Sequence, residues 1–205
     1  MRRIGIMGGT FDPVHLGHTG IAEAAARELA LDEVRIMPAF VQPFKQDREV
    51  SPAQYRLAML KLAAMESRAN LTVDTWEIER GCVSYTYDTL YHLTKAEPDV
   101  QFYFILGSDS LLTIETWYRA KQLLRLTGFA VGSRPTNDLV QVEQKAEAIR
   151  RQYGAEIILI RELMLPVSST MIRDLVRSGQ PISGLVSPLV ENYIYEQRLY
   201  SEGSL

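Results

Sequence analysis

The sequence predicts an α/β fold in which a doubly wound parallel sheet carries helices on both faces. Short apolar runs alternate with runs of helical spacing along the chain, which is typical of parallel strands joined by crossover helices. The first of these apolar runs is bounded by glycine, as expected of a buried strand. The 205 residues, 46% of them hydrophobic, can bury a sizeable core. We therefore expect a single domain over 1–205, of which about 166–200 forms a small helical extension.

The first unit runs from a strand into a helix. Residues 2–7 are short and apolar, which favours a buried strand. Residues 16–29 are rich in alanine and glutamate, with apolar side chains at helical spacing, which favours a helix. The glycine pair between them allows a tight turn and a close approach to a ligand, and Asp12-Pro13 stiffens the entry to the helix.

The same alternation continues to the end of the chain. Ser51-Pro52 opens a helix, Pro98 stops one, and Gly154 and Gly179 end two others. We predict, in order, a strand over 33–38, a polar loop over 40–50, a helix over 52–65, a strand over 70–79, a helix over 84–98, a strand over 100–107, a helix over 113–124, a strand over 127–134, a helix over 142–154, a strand over 155–160, and helices over 168–179 and 187–200.

The composition excludes several classes of protein. A formal net charge of -3 gives no general basic surface, so we expect no nucleic-acid partner and a local cluster of donors for any anionic substrate. No run approaches the ~20 apolar residues of a membrane span. The single cysteine, Cys82, cannot form an internal disulfide, which fits a reducing compartment. We therefore expect a soluble, cytoplasmic protein with no membrane partner.

Two of the three histidines lie in the turn after the first strand, within "MGGTFDPVHLGH". On a helix, His15 and His18 share one face, near the end whose unpaired N–H groups attract anions. This setting favours a phosphate site, although a simple turn with a packing histidine explains each feature alone. No metal site is predicted, because zinc needs three or four ligands and only His92 and Cys82 are left, both in unrelated surroundings.

A second candidate anion site lies in "PVSSTMIR", near the end of the chain. The hydroxyl groups of Ser168, Ser169 and Thr170 stand at a predicted helix start, and Arg173 follows one turn later. These groups can cap the helix or donate to an anion beside its opening N–H groups. A capping box without further function is the alternative explanation.

Together, the two stretches resemble the two signatures of the HxGH nucleotidyltransferase superfamily. His15-Leu16-Gly17-His18 matches the first signature, and "SSTMIR" matches the second, with Val167 in place of the usual isoleucine. The flanking residues narrow the resemblance to the bacterial nicotinate-nucleotide adenylyltransferases, from residue 1 to about 200. Class I aminoacyl-tRNA synthetases share the first signature but carry a lysine-rich second one, which is absent here. The resemblance implies a Rossmann-like sheet of the nucleotidyltransferase type.

The resemblance also implies a reaction and its residues. The adenylyl group of ATP would pass to nicotinate mononucleotide, with release of pyrophosphate, and Mg²⁺ would be carried with ATP. His15, His18 and Arg173 would act in catalysis as donors to the triphosphate, whose negative charge favours the protonated histidines. The implied ATP-binding residues are Gly8, Gly9, Thr10, Phe11, His15, His18, Gly107, Asp109, Arg134, Ser168, Ser169, Thr170 and Arg173.

Segments between the signatures resemble family elements that face the second substrate. "PAFVQPFKQD" keeps a lysine, Lys45, but has Phe44 where the family has a histidine, which removes a polar donor. "SYTYDTL" would present N–H groups near Thr86 to the pyridine carboxylate. Trp117 would stack on the pyridine ring, although a tryptophan more often fills an apolar gap, just as Asp109 alone would be read as a helix cap. The implied substrate-binding residues are Lys45, Ser84, Tyr85, Thr86, Trp117 and Tyr118.

Other functions stay open on the sequence alone. The chain could be an adenylyltransferase for nicotinamide mononucleotide or for another phosphorylated acceptor such as phosphopantetheine, although "SYTYDTL" and Trp117 disfavour the latter. It could also be a nucleotide-binding sensor without turnover. The sequence leaves the oligomeric state open, a homodimer included.

Overall fold

The computed structural model describes residues 1–43, 50–133, 139–162 and 165–201, which contain one parallel sheet of six strands. Every strand pair in the order β3-β2-β1-β4-β5-β6 is parallel, which confirms the predicted doubly wound sheet. The strands are β1 (Arg2–Gly9), β2 (Glu33–Pro38), β3 (Leu71–Val73), β4 (Val100–Gly107), β5 (Gly128–Gly132) and β6 (Ile157–Ile160).

Helices connect consecutive strands and follow the last one. They are α1 (Leu16–Glu28), α2 (Ala53–Glu66), α3 (Trp76–Arg80), α4 (Thr86–Ala96), α5 (Ser108–Thr113), a 3-10 turn (Ile114–Thr116), α6 (Ala120–Leu123), α7 (Leu139–Tyr153), α8 (Ser169–Arg177) and α9 (Pro188–Glu196). No helix in the described ranges combines the length and the apolar character that crossing a membrane would need.

The strand order places β1 and β4 side by side at the centre of the sheet. After β1 the chain winds outward through β2 and β3, and after β4 it winds the other way through β5 and β6. The carboxyl ends of the central strands lie level with their neighbours, with Gly9 opposite Pro38 and Gly107 opposite Gly132. Ligands of open α/β sheets bind where the winding direction reverses in this way.

Each face of the sheet carries its own apolar core. On one face, Met7 and Ile105 pack with residues of α1 and α2, and Ile172 of α8 and Val190 of α9 join the same cluster. On the other face, apolar residues of β1, β4 and β5 pack with α4 and α7. The C-terminal helices therefore share the core of α1, beside the end of β1.

The predicted strand over 70–79 is wrong in its second half. The strand ends at Val73, and α3 follows from Trp76. The carboxylate of Asp74 accepts a hydrogen bond from the N–H of Trp76 at 3.0 Å, which starts the helix locally. The alternating apolar residues favoured a longer strand, but Asp74 forms a turn that ends it.

The predicted helix over 113–124 is also wrong, because the chain breaks in its middle. Trp117 adopts an extended backbone conformation, and Arg119 has a φ of 53°, in the left-handed region. The segment therefore consists of a 3-10 turn and a short helix. Residues 117–119 lie between them and are not helical. Residue 134 of the predicted strand over 127–134, and residues 44–49 of the predicted loop, lie outside the described residues.

Candidate active site

An open cavity of about 760 Å³ lies at the carboxyl ends of β1 and β4. Lys45 and Arg134, together with the departure at Phe44, lie outside the described residues. The cavity is lined by all the other predicted site residues: Gly8, Gly9, Thr10, Phe11, His15, His18, Ser84, Tyr85, Thr86, Gly107, Asp109, Trp117, Tyr118, Ser168, Ser169, Thr170 and Arg173. We call residues 8–18 and 168–173 the histidine end of the cavity, and residues 84–86, 117 and 118 the aromatic end.

His15 and His18 lie together at the start of α1. His15 is the N-cap residue and is 4% exposed. The two imidazole rings stack, with centroids 3.7 Å apart, and the backbone N–H of His15 donates to Nδ1 of His18 at 3.3 Å. A ring nitrogen that accepts carries no proton, so a neutral His18 has its hydrogen on Nε2. His18 can then donate this Nε2–H to a ligand in the cavity.

Two glycines bring the backbone of the histidine end close to bulky neighbours. A Cβ on Gly17 would stand 3.0 Å from Cγ1 of Val167, and a Cβ on Gly9 would stand 2.8 Å from Cζ of Phe11. Phe11 is buried, has a φ of 53°, and meets the ring of His18 edge-on at 4.9 Å between centroids. Gly17 thus lets the two signatures touch, and Gly9 makes room for the ring that supports His18.

The start of α8 is tied to the turn that precedes α1. Ser168 caps α8 by accepting a backbone N–H at 3.2 Å, as the capping interpretation expected. The hydroxyl of Ser169 donates to the carbonyl of Pro13 at 2.9 Å, and the guanidinium of Arg173 donates to the carbonyl of Asp12 at 2.6 Å. The second signature therefore holds the first one in place, in addition to lining the cavity.

Arg56 of α2 supports the same turn, and the sequence analysis missed it. Its guanidinium donates to the backbone carbonyls of Thr10 at 2.8 Å, Ala39 at 2.9 Å and Ser51 at 3.1 Å. Burial lowers the pKa of Arg56, which nearby Asp12 partly offsets. The sequence contained an indication that Arg56 is buried, because helical spacing places it on the same buried face as Met59, Leu60 and Ala63.

Asp12 links the turn to the C-terminal segment, which the sequence analysis also missed. Its buried carboxylate accepts the hydroxyl of Tyr200 at 2.7 Å and the N–H of Ser51 at 3.1 Å. The peptide bond to Pro13 is cis. Burial, followed by the charge of Asp12, raises the pKa of Tyr200, so that its hydroxyl stays a donor.

At the aromatic end, the start of α4 is anchored to the segment after β2. The N–H of Ser84 donates to the carbonyl of Val41 at 2.9 Å, and its hydroxyl accepts the N–H of Phe40 at 3.3 Å. Tyr85 is the N-cap residue, and α4 begins at Thr86. The opening turn of α4 therefore faces the cavity from a fixed position.

Aromatic rings form the other wall of this end. Trp117 meets Phe104 of β4 edge-on, with 6.3 Å between ring centroids. Tyr118 is 44% exposed and packs at 4.6 Å between centroids against Tyr85. The guanidinium carbon of Arg119 lies over the ring of Tyr118, 5.1 Å from its centroid. These partly exposed rings can accept a flat ligand ring by stacking.

Gly107 and Asp109 line the cavity where β4 passes into α5. Gly107, the last residue of β4, is the N-cap residue of α5. Asp109 is exposed in the first turn of this helix and is not its N-cap residue. The structure therefore does not give Asp109 the N-cap position that a purely structural interpretation would assign to it.

The chain matches the cytidylyltransferase-like family over residues 6–175. A probable nicotinate-nucleotide adenylyltransferase of Halalkalibacterium halodurans is 39% identical over 200 residues, covering 98% of this chain and 92% of that protein. A protein of the same name from Herpetosiphon aurantiacus is 39% identical over 203 residues, covering 98% of this chain and 99% of that protein. The structure of a Plasmodium falciparum nicotinic acid mononucleotide adenylyltransferase complexed with NaAD shares the fold, with a TM-score of 0.80 at 22% identity over 98% of each chain.

Proposed function

This chain belongs to the cytidylyltransferase-like family and, within it, to the nicotinate-nucleotide adenylyltransferases, and we propose that it transfers the adenylyl group of ATP to nicotinate mononucleotide in NAD biosynthesis. The products are nicotinate adenine dinucleotide and pyrophosphate. One observation carries the proposal: a single cavity joins the histidine end, suited to phosphates, to the aromatic end, suited to a flat ring with a carboxylate.

The reaction needs positioning more than proton transfer. A phosphate oxygen of the mononucleotide attacks the α-phosphorus of ATP in line, and the bond from this phosphorus to pyrophosphate breaks. The second pKa of a phosphate monoester is near ~6, so the attacking oxygen is ionised at neutral pH and needs no general base. The protein contributes alignment and the stabilisation of charge on the leaving group.

The histidine end supplies the donors in this proposal. His18 presents an Nε2–H, because its Nδ1 accepts from the backbone of His15. The guanidinium of Arg173 lies at the cavity wall and brings a permanent positive charge. The buried hydroxyl of Thr10 has no hydrogen-bond partner among the described residues, and it is a further candidate donor.

We assign Mg²⁺ to ATP rather than to a protein site. Phosphate oxygens are ligands that Mg²⁺ prefers, and when bound the ion neutralises part of the phosphate charge. In the described ranges, no group of three or more histidine, cysteine, aspartate or glutamate side chains is placed to hold a metal ion. The donors of the histidine end then act on the remaining charge.

The aromatic end receives the pyridine ring. Its carboxylate would accept N–H groups at the start of α4, near Thr86, where the helix end favours a negative charge. Trp117 would stack on the ring, and Tyr118 would border the opening. This arrangement favours nicotinate over nicotinamide, because an amide has no negative charge to place there.

We propose a cytoplasmic location for this reaction. Cys82 is free and exposed, and an exposed free thiol fits a reducing compartment.

Release of pyrophosphate from ATP with different acceptors tests the function. We expect release with nicotinate mononucleotide, much less with nicotinamide mononucleotide, and none with phosphopantetheine or without an acceptor. Mass spectrometry of the nucleotide product checks that the adenylyl group has moved. Binding of ATP without turnover on any acceptor would contradict the proposal and favour a nucleotide sensor.

A further inference from the structure

Glu77 is a buried carboxyl group in the cavity wall that belongs to neither signature. It lies on α3, is 5% exposed, and lines the cavity with Ser84 and Thr86. Glu79, two positions further on the same helix, is exposed. Burying a carboxyl group is unfavourable unless it is hydrogen-bonded or protonated. The contacts of Glu77 should therefore show how its burial is compensated.

Hydrogen bonds hold this carboxyl group beneath the first turn of α4. Oγ1 of Thr89 lies 2.6 Å from Oε1 of Glu77, and the hydroxyl of Ser84 also bonds to the carboxyl group. Ser84 precedes the first turn of α4, and Thr89 lies one turn into the helix. Glu77 therefore sits against the turn whose N–H groups we assign to the pyridine carboxylate.

The charged surroundings of Glu77 leave its charge only partly compensated. Burial raises the pKa of the Glu77 carboxyl group, the two hydroxyl partners and Arg80 lower it, and Asp74 raises it further. The elements next to α3 are β2 and α4, and the charged side chains on them interact with residues other than Glu77. These pairs are Glu33 with Arg35 on β2, and Asp88 with Arg119, His92 with Trp76 and Lys95 with Tyr91 for α4.

Thr89 can serve both protonation states of Glu77. When Glu77 is ionised, the Thr89 hydroxyl donates to it. When Glu77 is neutral, its own hydroxyl can donate to Oγ1 of Thr89, which then turns its hydrogen to the carbonyl of Tyr85, 3.3 Å away. The two states differ in charge and need no movement of the backbone.

Building on the proposed function, we propose that Glu77 is a specificity-determining residue whose charge controls the preference for nicotinate over nicotinamide mononucleotide. The neutral acid leaves the start of α4 to attract the substrate carboxylate. The ionised form places a second negative charge beneath the same turn, which repels nicotinate and has little effect on the uncharged amide. Glu77 acts through α4 and is therefore a positioning residue.

The pH dependence of the preference tests this proposal. The specificity constants for the two mononucleotides would be measured from about pH 4.5, close to the ordinary pKa of a glutamate, to about pH 9, and their ratio removes the phosphate ionisation that both substrates share. We expect the preference for nicotinate to fall at least about fivefold as the pH rises and Glu77 ionises, a coupling of about 1 kcal/mol. A ratio that stays constant would overturn the proposal.

Glu77→Gln and Glu79→Gln form a matched pair of variants. Glutamine at position 77 keeps the shape and carries no charge, so the preference should be independent of pH and at least as high as the wild-type value at low pH. Glu79→Gln removes an exposed charge on the same helix and should keep the wild-type pH dependence. An unchanged pH dependence in Glu77→Gln would overturn the role of Glu77.

Proton uptake by the wild type gives a second test that does not depend on the folding of a variant. Calorimetry at several pH values across the same range, each in two buffers of different ionisation enthalpy, would measure the protons taken up with each mononucleotide. We expect greater uptake with nicotinate mononucleotide, because its carboxylate favours neutral Glu77, and equal uptake would contradict the proposal. Turnover with neither mononucleotide would overturn both this proposal and the proposed function, whereas a nicotinate preference independent of pH would overturn only the role of Glu77.

Discussion

The two ends of the cavity are held by different kinds of contact. At the histidine end, Arg56, Ser169 and Arg173 donate to backbone carbonyls of residues 10–13, and Tyr200 donates to the buried carboxylate of Asp12. At the aromatic end, the wall is built from rings that touch each other, and Tyr118 is 44% exposed. The first end is fixed by directional bonds, whereas the second combines a hydrogen-bonded helix start at Ser84 with a wall of adaptable rings.

This difference indicates how the work is divided between the two ends. Donors that are already in place cost no reorganisation when charge develops on a leaving group, so the histidine end should control turnover. Stacking surfaces act on the substrate in its ground state and its transition state alike, so the aromatic end should mainly control binding. Changes at the two ends should therefore affect different kinetic constants.

The largest expected effect follows removal of the His18 ring. We expect His18→Ala to lower kcat by about 100- to 1000-fold, because one preorganised donor to developing charge contributes about 2.7 to 4 kcal/mol. Steady-state pyrophosphate release with saturating ATP measures the loss. His92→Ala is the matched control, since His92 stacks on Trp76 and does not line the cavity. Near-normal turnover of His18→Ala would make His18 a packing residue.

A stability measurement tests how tightly the histidine end is packed. Gly9→Ala should lower the free energy of unfolding by about 1 to 3 kcal/mol, because its Cβ would stand 2.8 Å from the buried ring of Phe11. Gly107→Ala, at the end of β4, has nothing within 4 Å of the new Cβ and should change stability by less than about 0.5 kcal/mol. Urea denaturation compares the two variants. Equal stabilities would show that both strand ends are equally tolerant.

The smallest effect is expected at the aromatic end. Trp117→Ala should raise the Michaelis constants for both mononucleotides about three- to tenfold, because ring stacking contributes about 0.5 to 1.5 kcal/mol beyond burial. The ratio of the two specificity constants should hardly change, and Trp117→Phe should retain most of the binding. A ratio that collapses in Trp117→Ala would assign the choice between acid and amide to the tryptophan instead of to α4.

The histidine end was largely predictable because its motifs are local. The spacing of His15 and His18 and the hydroxyl-rich start of α8 are each visible within a few residues, and the resemblance joined them. The alternation of strands and helices predicted the parallel sheet in the same way. Each of these features is encoded in a short stretch of sequence, so it can be recognised without the tertiary structure.

The supports of the cavity could not be predicted from local patterns. Glu77 is buried where α3 meets Thr89 of α4, and the pairing of Asp12 with Tyr200 joins positions far apart in the chain. The break at Trp117 depends on the left-handed backbone conformation of Arg119, although the sequence pattern had placed this arginine within a helix. Such features depend on tertiary contacts, and these contacts cannot be read from a single sequence.

Specificity constants for nicotinate and nicotinamide mononucleotide, measured near pH 7 in the wild type and in His18→Ala, test the division of labour most directly. A carboxylate at a helix start gains about 0.3 to 2 kcal/mol, and its hydrogen bonds about 1.5 to 3 kcal/mol against about 1 for a neutral acceptor. Together these terms favour the carboxylate by about 0.8 to 4 kcal/mol, a range whose middle exceeds the ~1.4 kcal/mol of a tenfold ratio. We predict at least about tenfold preference for nicotinate in both proteins, with His18→Ala slower on both substrates. Equal specificity constants in the wild type, or a preference that disappears with His18, would contradict the account.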